Sequence, residues 1–468
     1  MRSKPPGRPQ RVPIGTNLKD RGAAPSKPGM RVTALLSLVL LAAFAAPALA
    51  QPSQETAHRD DPRDAEHARI ANLTRSEREL LAPHIARGPV ALIEFRGQAE
   101  LPAIHFAMRV RAPAARIAEV IANPGGYPSF MPALDEVEVT GRRRNMVSYR
   151  WTWQTAVFTL HGDNVLQVYP APVGRSDRPY RIESRATGGD LGTGRLVWRV
   201  YPEGPNQSLL TLSARLDLRE ANYLTRQINR GQNSINRTIN ISLAYVMLHG
   251  TAKEAERRVG APTLRAPEAP LTRPEVDVQA LAHLLGRGDL LLMDTTGDRL
   301  NQVTVVGRIG RDEARTREVM TDPREFGPAL VPGAYARIVR QGDQDLDFEW
   351  GVNMPLIGTS GKMRLGETGD GTVSIDAIEG ALEGGRWRFA TETYPNGEAI
   401  VIGWADFDPA DASWLIRAMV ADDPPLGAGI AGGTSIMLVR GIRSRAWRVQ
   451  EARAAAEAAA AQREAEGS

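Results

Sequence analysis

The chain says nearly the same thing twice, and that duplication restricts its fold more than any other feature. Arg109–Pro132 (RVRAPAARIAEVIANPGGYPSFMP) and Arg308–Pro332 (RIGRDEARTREVMTDPREFGPALVP) align at an offset of 199. Arg109, Ala115, Arg116, Glu119, Val120, Pro124 and Tyr127 meet Arg308, Ala314, Arg315, Glu318, Val319, Pro323 and Phe326. Each copy reads as a strand, a short amphipathic helix, an Asn/Asp-Pro break and an aromatic turn. Arg87-Gly88 and Arg287-Gly288 stand 200 apart, so the repeat begins upstream of both stretches. A chain of 468 residues has room for two such units and its ends.

Hydrophobic periodicity fills in each unit. Ser76-x-x-Glu79 is a capping box for a helix over about Glu77–Ala86, and Val90–Phe95 and His105–Arg111 read as strands. Pro113 opens a helix with Ile117, Val120 and Ile121 on one face. Strands follow at Asp135–Thr140, Met146–Trp153, Phe158–Val168, Tyr180–Thr187, Arg195–Tyr201 and Ser208–Leu218, then a long helix from about Ala221 to Val259. The second unit repeats this through Arg386–Thr393 and Glu398–Phe407, a helix at about Ala410–Val420, and a closing helix from Thr434 to about Trp447. Antiparallel strands with segregated helices define an α+β fold. The expectation is two tandem domains, 79–259 and 279–448, each a curved antiparallel sheet wrapped around its long C-terminal helix. A Pro-rich linker (260–278) separates them, and an Ala-rich tail (449–468) ends the chain.

The N-terminus reads as a leader. Arg31, the apolar run Val32–Ala46 and Ala48-Leu49-Ala50 form a signal peptide over 30–50 with cleavage near Ala50, which places the mature protein in the periplasm or outside the cell. Residues 1–29 are an upstream extension, with Met30 a second candidate start, and 51–78 form a polar tether. Residues 1–50 carry a net +7 of the chain's +4, leaving −3 for the rest, so global basicity does not argue for nucleic acid. Cysteine is absent, which excludes disulfides, thiolate metal sites and a Cys nucleophile.

Val110-x-Ala112-Pro113, Val120–Pro124, Tyr127-Pro128-x-Phe130-Met131-Pro132, the Trp151/Trp153 strand, and Arg195 with Trp198 together resemble the START-like, helix-grip (SRPBCC) superfamily, in tandem. The closest likeness is to its polyketide cyclase/coenzyme Q-binding branch. The second copy is less faithful: Gly310 and Asp312 replace the Ala-Pro entrance, and Phe326-Gly327 replaces Tyr-Pro. The resemblance implies a hydrophobic tunnel between sheet and closing helix that holds lipids, sterols, quinones or polyketides, in a superfamily with both binders and cyclising enzymes. Fold alone does not decide between them.

Strand alternation puts Tyr149, Trp151 and Trp153 on one face, with Trp350 in the matching place of the second copy. The expected cavity lining is Phe130, Met131, Tyr149, Trp151, Trp153, Phe158, Trp198 and Met247, then Trp350, Met354, Phe389 and Met437. Arg195 and Arg386 join it only if they point inward, where an Arg can hold a carbonyl or carboxylate; outward, each is an ordinary solvated residue. Among the histidines, His105 and His161 fall in strands and could serve as a general base. No His pairing suits zinc. Gly427–Gly432 matches GxGxxG but follows no strand and is expected to be a loop, and Asp343-x-Asp345-x-Asp347 lacks the glycine and bidentate Glu of a calcium loop. No metal or cofactor is therefore expected. The reading that fits best is a non-enzymatic, exported carrier of a hydrophobic small molecule, with transient contact to a membrane surface. An aromatase/cyclase-like enzyme and a cell-envelope interaction module are the alternatives.

Overall fold

A computed structural model describes residues 72–94, 103–131, 134–154, 159–170, 178–190, 193–217, 233–263, 270–297, 299–324, 334–352 and 359–466. The leader, the upstream extension and most of the tether lie outside the described residues, as do Phe158 and Met354. The described residues belong to one unit, Asp61–Ser468.

The first repeat contains α1 (Arg75–Ile85), β1 (Val90–Glu94), β2 (Ile104–Val110), α2 (Ala114–Ile121), a 3-10 turn at Pro124–Ser129, β3 (Leu134–Arg143), β4 (Met146–Gln154), β5 (Thr159–Val168), β6 (Tyr180–Gly189), β7 (Thr193–Gly204), β8 (Gln207–Asp217) and α3 (Asn233–Arg258). The second contains α4 (Ala282–Arg287), β9 (Gly288–Thr296), β10 (Arg299–Arg308), α5 (Glu313–Thr321), β11 (Ala334–Gln341), β12 (Asp345–Val352), β13 (Thr359–Glu367), β14 (Val373–Gly380), β15 (Arg386–Thr393), β16 (Ala399–Asp406), α6 (Trp414–Asp422) and α7 (Pro424–Glu466). The order of strands and of the helices between them is the same in both, with α6 added before the closing helix of the second, so the sequence repeat is a repeat of structure.

The two sets of strands do not form separate sheets. One 16-stranded antiparallel sheet runs β11-β12-β13-β14-β15-β16-β10-β9-β1-β2-β8-β7-β6-β5-β4-β3. The join is β1 against β9, in register from Val90↔Leu292 to Glu94↔Gly288. Both strands are apolar runs buried on both faces, the pattern of a central strand. Ala91 and Ile93 face one core, which includes α3 and α7, while Val90 and Leu92 face another with Leu81 of α1 and Leu284 of α4.

This seam has the reciprocity of a two-fold axis. A Cβ on Gly88 would collide with the carbonyl oxygen of Met293, and one on Gly288 with that of Ile93. Arg87 of the first repeat pairs with Asp294 of the second, and Arg287 of the second pairs with Glu94 of the first. The duplicated Arg-Gly pair is thus the element that joins the halves.

Two local expectations need correction. The capping box of α1 is Thr74/Glu77 rather than Ser76/Glu79: Thr74 N donates to Glu77 Oε2 at 2.7 Å, and Glu77 N donates to Thr74 Oγ1 at 3.2 Å. The same S/T-x-x-E spacing occurs two residues earlier, and the helix it caps buries Leu81 and Ile85. The Gly427–Gly432 stretch is helix, not loop, because α7 starts at Pro424. Its glycines serve a helix crossing: a Cβ on Gly429 would lie 2.8 Å from Ser242 Cα, and one on Gly433 would lie 2.9 Å from Thr238 Cα. Residues four apart share a helix face, so the pair lets α3 and α7 approach backbone to backbone in antiparallel sense. Asp289 of β9, fully buried, anchors α7 through Arg440 (2.8 Å) and Arg443.

Candidate functional site

The site begins with the duplicated turn. Proline and the Gly125-Gly126 pair end α2, and the following 3-10 turn buries Tyr127, whose hydroxyl donates to Ile121 O at 2.6 Å. That bond fixes the ring edge-on to Tyr149 of β4, with centroids 6.2 Å apart and planes at 87°. Alternation along β4 then sets Trp151 and Trp153 beside Tyr149. The space against them can exist because the neighbouring strands carry small residues there: Trp151 is paired with Gly162, and Gly162 with Gly189.

A cavity of about 140 Å³ opens between this face and α3. Met131, Leu134, Trp151, Trp153, Ala186, Leu196, Leu243, Val246 and Met247 make most of its wall apolar. Its polar features are few. Asn164 donates from Nδ2 to the Tyr149 hydroxyl at 3.0 Å and accepts from Trp151 Nε1 at 3.3 Å, while the Tyr149 and Ser184 hydroxyls lie 3.2 Å apart. Burial pushes the Tyr149 phenol above its ordinary range, with the Ser184 and Asn164 bonds opposing it, so the group stays a neutral phenol at physiological pH. On the helix side the wall includes Asp423, from the break between α6 and α7.

The structure brings together Met131, Tyr149, Trp151, Trp153 and Met247 from the expected lining. Phe130 packs edge-on against Tyr127 (5.8 Å) and Trp198 is buried in the core, neither lining the cavity. Arg195 points to the opposite face of the sheet, where its Nε donates to Glu183 Oε2 at 3.1 Å; its neighbours Gly194 and Leu196 take the inward places. Arg386 pairs with Asp406 at 2.5 Å in the second repeat. Phe389 is buried against Gly403, and Met437 accepts from Thr238 Oγ1 in the α3–α7 crossing. Trp350 repeats the Trp151 arrangement over Gly361, which pairs with Gly380.

Neither His105 nor His161 lines the cavity. His105 is buried on the seam side, with Nδ1 3.0 Å from Ser213 Oγ and Nε2 3.4 Å from Glu94, the latter contact electrostatic rather than a hydrogen bond. His161 lies on an exposed position beside Thr152. Asp345 and Asp347 are held by Arg340 and Arg364, an ion-pair network rather than a cation loop. No cluster of metal-ligating side chains occurs among the described residues. Sequence reasoning missed Asn164, Ser184, Leu196 and Asp423. Alternation on β5 to β7 could have given the first three, whereas Asp423 comes from another repeat and leaves no local signal.

An α+β antiparallel fold with an apolar cavity under a closing helix defines the class, and the sequence match agrees. Residues 110–233 match the family described as polyketide cyclase / dehydrase and lipid transport. The chain is thus similar to that family within its first repeat, and the second repeat follows the first in its order of strands. No curated protein matches the chain. Among solved structures, the Zhui aromatase/cyclase from a Streptomyces species is 19% identical over 34% of this chain and 94% of its own, with a TM-score of 0.28. The di-domain ARO/CYC StfQ from the steffimycin biosynthetic pathway is 10% identical over 74% of this chain and 99% of its own, with a TM-score of 0.25. A START superfamily protein from Mycobacterium smegmatis is 13% identical over 33% of this chain and 98% of its own, at 0.25. At TM-scores this low the likenesses add nothing to the family match.

Proposed function

We propose that the protein binds or carries a hydrophobic small molecule, held between the sheet and α3 of the first repeat. The observation that carries this reading is the cavity itself, apolar over most of its wall with one fixed polar cluster at Tyr149, Asn164 and Ser184. Its volume of about 140 Å³ suits a single ring; apolar cavities of roughly 150 Å³ hold benzene. A quinone or phenolic head group fits better than a sterol, which needs a larger space unless the wall moves. The residues suggested for cyclase chemistry, His105, His161 and Arg195, do not meet in the cavity, which favours the carrier over the enzyme.

The sequence supports further parts of the reading. Two START-like repeats, 79–259 and 279–448, work as one unit whose strands curl around the closing helices, and the leader at 30–50 directs the protein out of the cytoplasm. Native mass spectrometry of protein purified from its host tests the binding. A co-purifying apolar molecule that is lost when Trp151 is replaced by alanine is the expected result. An empty protein that takes up no aromatic probe defeats the reading. N-terminal sequencing of the mature protein tests export, with a start near Gln51 expected.

A further inference from the structure

Asp423 occupies the single residue between α6 and α7, and its backbone is tied at both ends. Its N–H donates to Met419 O at 3.1 Å, and its carbonyl accepts from Leu426 N at 2.9 Å. Pro424 and Pro425 follow at once and fix the direction of α7. The side chain is thereby placed, not free to search. It is 1% exposed, it lines the cavity, and its Oδ1 has no hydrogen-bond partner among the described residues.

A buried carboxylate oxygen without a donor is costly, and folded proteins seldom retain one. Capping α7 does not account for it, since a helix N-terminus needs one oxygen and leaves the other to be satisfied. Three of the lining donors are committed elsewhere: Asn164 to Tyr149, Trp151 to Asn164, and Tyr127 to Ile121. A molecule in the cavity can supply the missing donor to Oδ1.

We infer, on the reading that the cavity binds an apolar molecule, that Asp423 is its specificity residue and selects ring-sized ligands carrying a hydrogen-bond donor, a hydroxyl or an amine. Among the described lining residues Asp423 alone comes from the second repeat. The first repeat's site is thus incomplete without the second, which gives the duplication a function beyond extending the sheet. Burial raises the carboxyl to about 6, so near neutrality it is mostly ionised and acts as an acceptor.

Calorimetry on the full chain with toluene, phenol and benzylamine tests this. Wild type is expected to bind phenol or benzylamine at least about tenfold more tightly than toluene, the range for a hydrogen bond to a charged acceptor. Asp423→Leu should abolish that preference and leave toluene binding in place. Asp423→Asn, nearly isosteric, should keep part of the phenol preference and lose any advantage of benzylamine; it serves if the leucine variant does not fold. A donor preference that survives Asp423→Leu, or toluene bound as tightly as phenol by wild type, overturns the inference while the cavity remains a binding site. Failure of all three probes to bind wild type removes both the inference and the proposed function.

Discussion

The indole of Trp151 lies across Gly162 on the neighbouring strand, so closely that a Cβ there would sit 2.7 Å from Trp151 Nε1 and nearer still to the ring carbons. The absence of a side chain at Gly162 holds the indole over the strand and keeps the cavity wall smooth. Gly361 does the same for Trp350, where an added Cβ would lie 3.0 Å from Nε1. Both pairs are 199 residues apart, the offset of the opening repeat.

Gly162→Val is therefore expected to displace Trp151 into the cavity. Overpacking of this kind costs about 1–3 kcal/mol, and the larger effect should be on binding. Tryptophan fluorescence, thermal unfolding and uptake of an aromatic probe read the three consequences. A variant that binds the probe as wild type does would show that Trp151 does not form the wall.

Much of the fold was legible because it depends on local pattern. Tyr149-Arg150-Trp151-Thr152-Trp153 alternates, so the inward face of β4 could be read directly, and the Pro124 break marked the turn beneath it. What was not legible depends on distant pairing. The Val90–Glu94 and Gly288–Thr296 runs show two buried strands, but nothing local says that they pair with each other and fuse two sheets into one. The glycines at 427–433 suggest a loop by propensity. The helix is favoured by its packing on α3, whose Ser242 and Thr238 fill the places that side chains at 429 and 433 would take. Asp423 was hidden for the same reason, since its environment belongs to the other repeat.

The seam should be strongly sensitive to Arg287. It joins Glu77 of α1 and Glu94 of β1, both largely buried. Arg287→Ala removes the guanidinium that these two carboxylates share, a loss of about 3 kcal/mol by analogy with broken buried pairs. Burial alone would raise Glu94, but His105 and Arg287 outweigh it and bring the carboxyl down to about 2. A lowered carboxyl contributes stability that is present above the unfolded value of 4.5 and lost as pH falls toward 2. Denaturant unfolding across that window should show a steep acid loss in wild type and a shallower one in Arg287→Ala. Equal slopes would mean that Arg287 does not set the Glu94 equilibrium.

Asp423 should produce a dependence of the opposite sign. Its carboxyl is raised from 3.8 to about 6 by burial, so the folded state binds the proton more tightly than the unfolded one. Stability then falls as pH rises from 3.8 through 6, by roughly 3 kcal/mol. In Asp423→Asn this loss is absent. The stability of the variant relative to wild type, without ligand, should thus increase across the window by the same amount. Chemical denaturation at several pH values measures it, and a flat difference would show that the carboxyl titrates as it would in water.

The crossing of the closing helices is tied to the cavity, because α3 carries residues of both. Thr238 and Ser242 meet Gly433 and Gly429, and Leu243, Val246 and Met247 on the following turns form the cavity wall. A side chain at Gly433 would lie 2.6 Å from Thr238 Cγ2 and 2.9 Å from its Cα, and the backbone contact cannot be relieved by a rotamer change. Gly433→Leu must push α3 away from α7, with a cost of at least about 1–3 kcal/mol and a shift of the wall those three residues form. Gly286→Ala is the control: its Cβ would meet nothing within 4 Å, and replacing a helical glycine there should be neutral or stabilising by up to about 1 kcal/mol. Thermal unfolding of the two variants should move in opposite directions, and probe affinity should change only in Gly433→Leu. If affinity is unchanged while stability falls, the crossing holds the two closing helices together without setting the dimensions of the cavity.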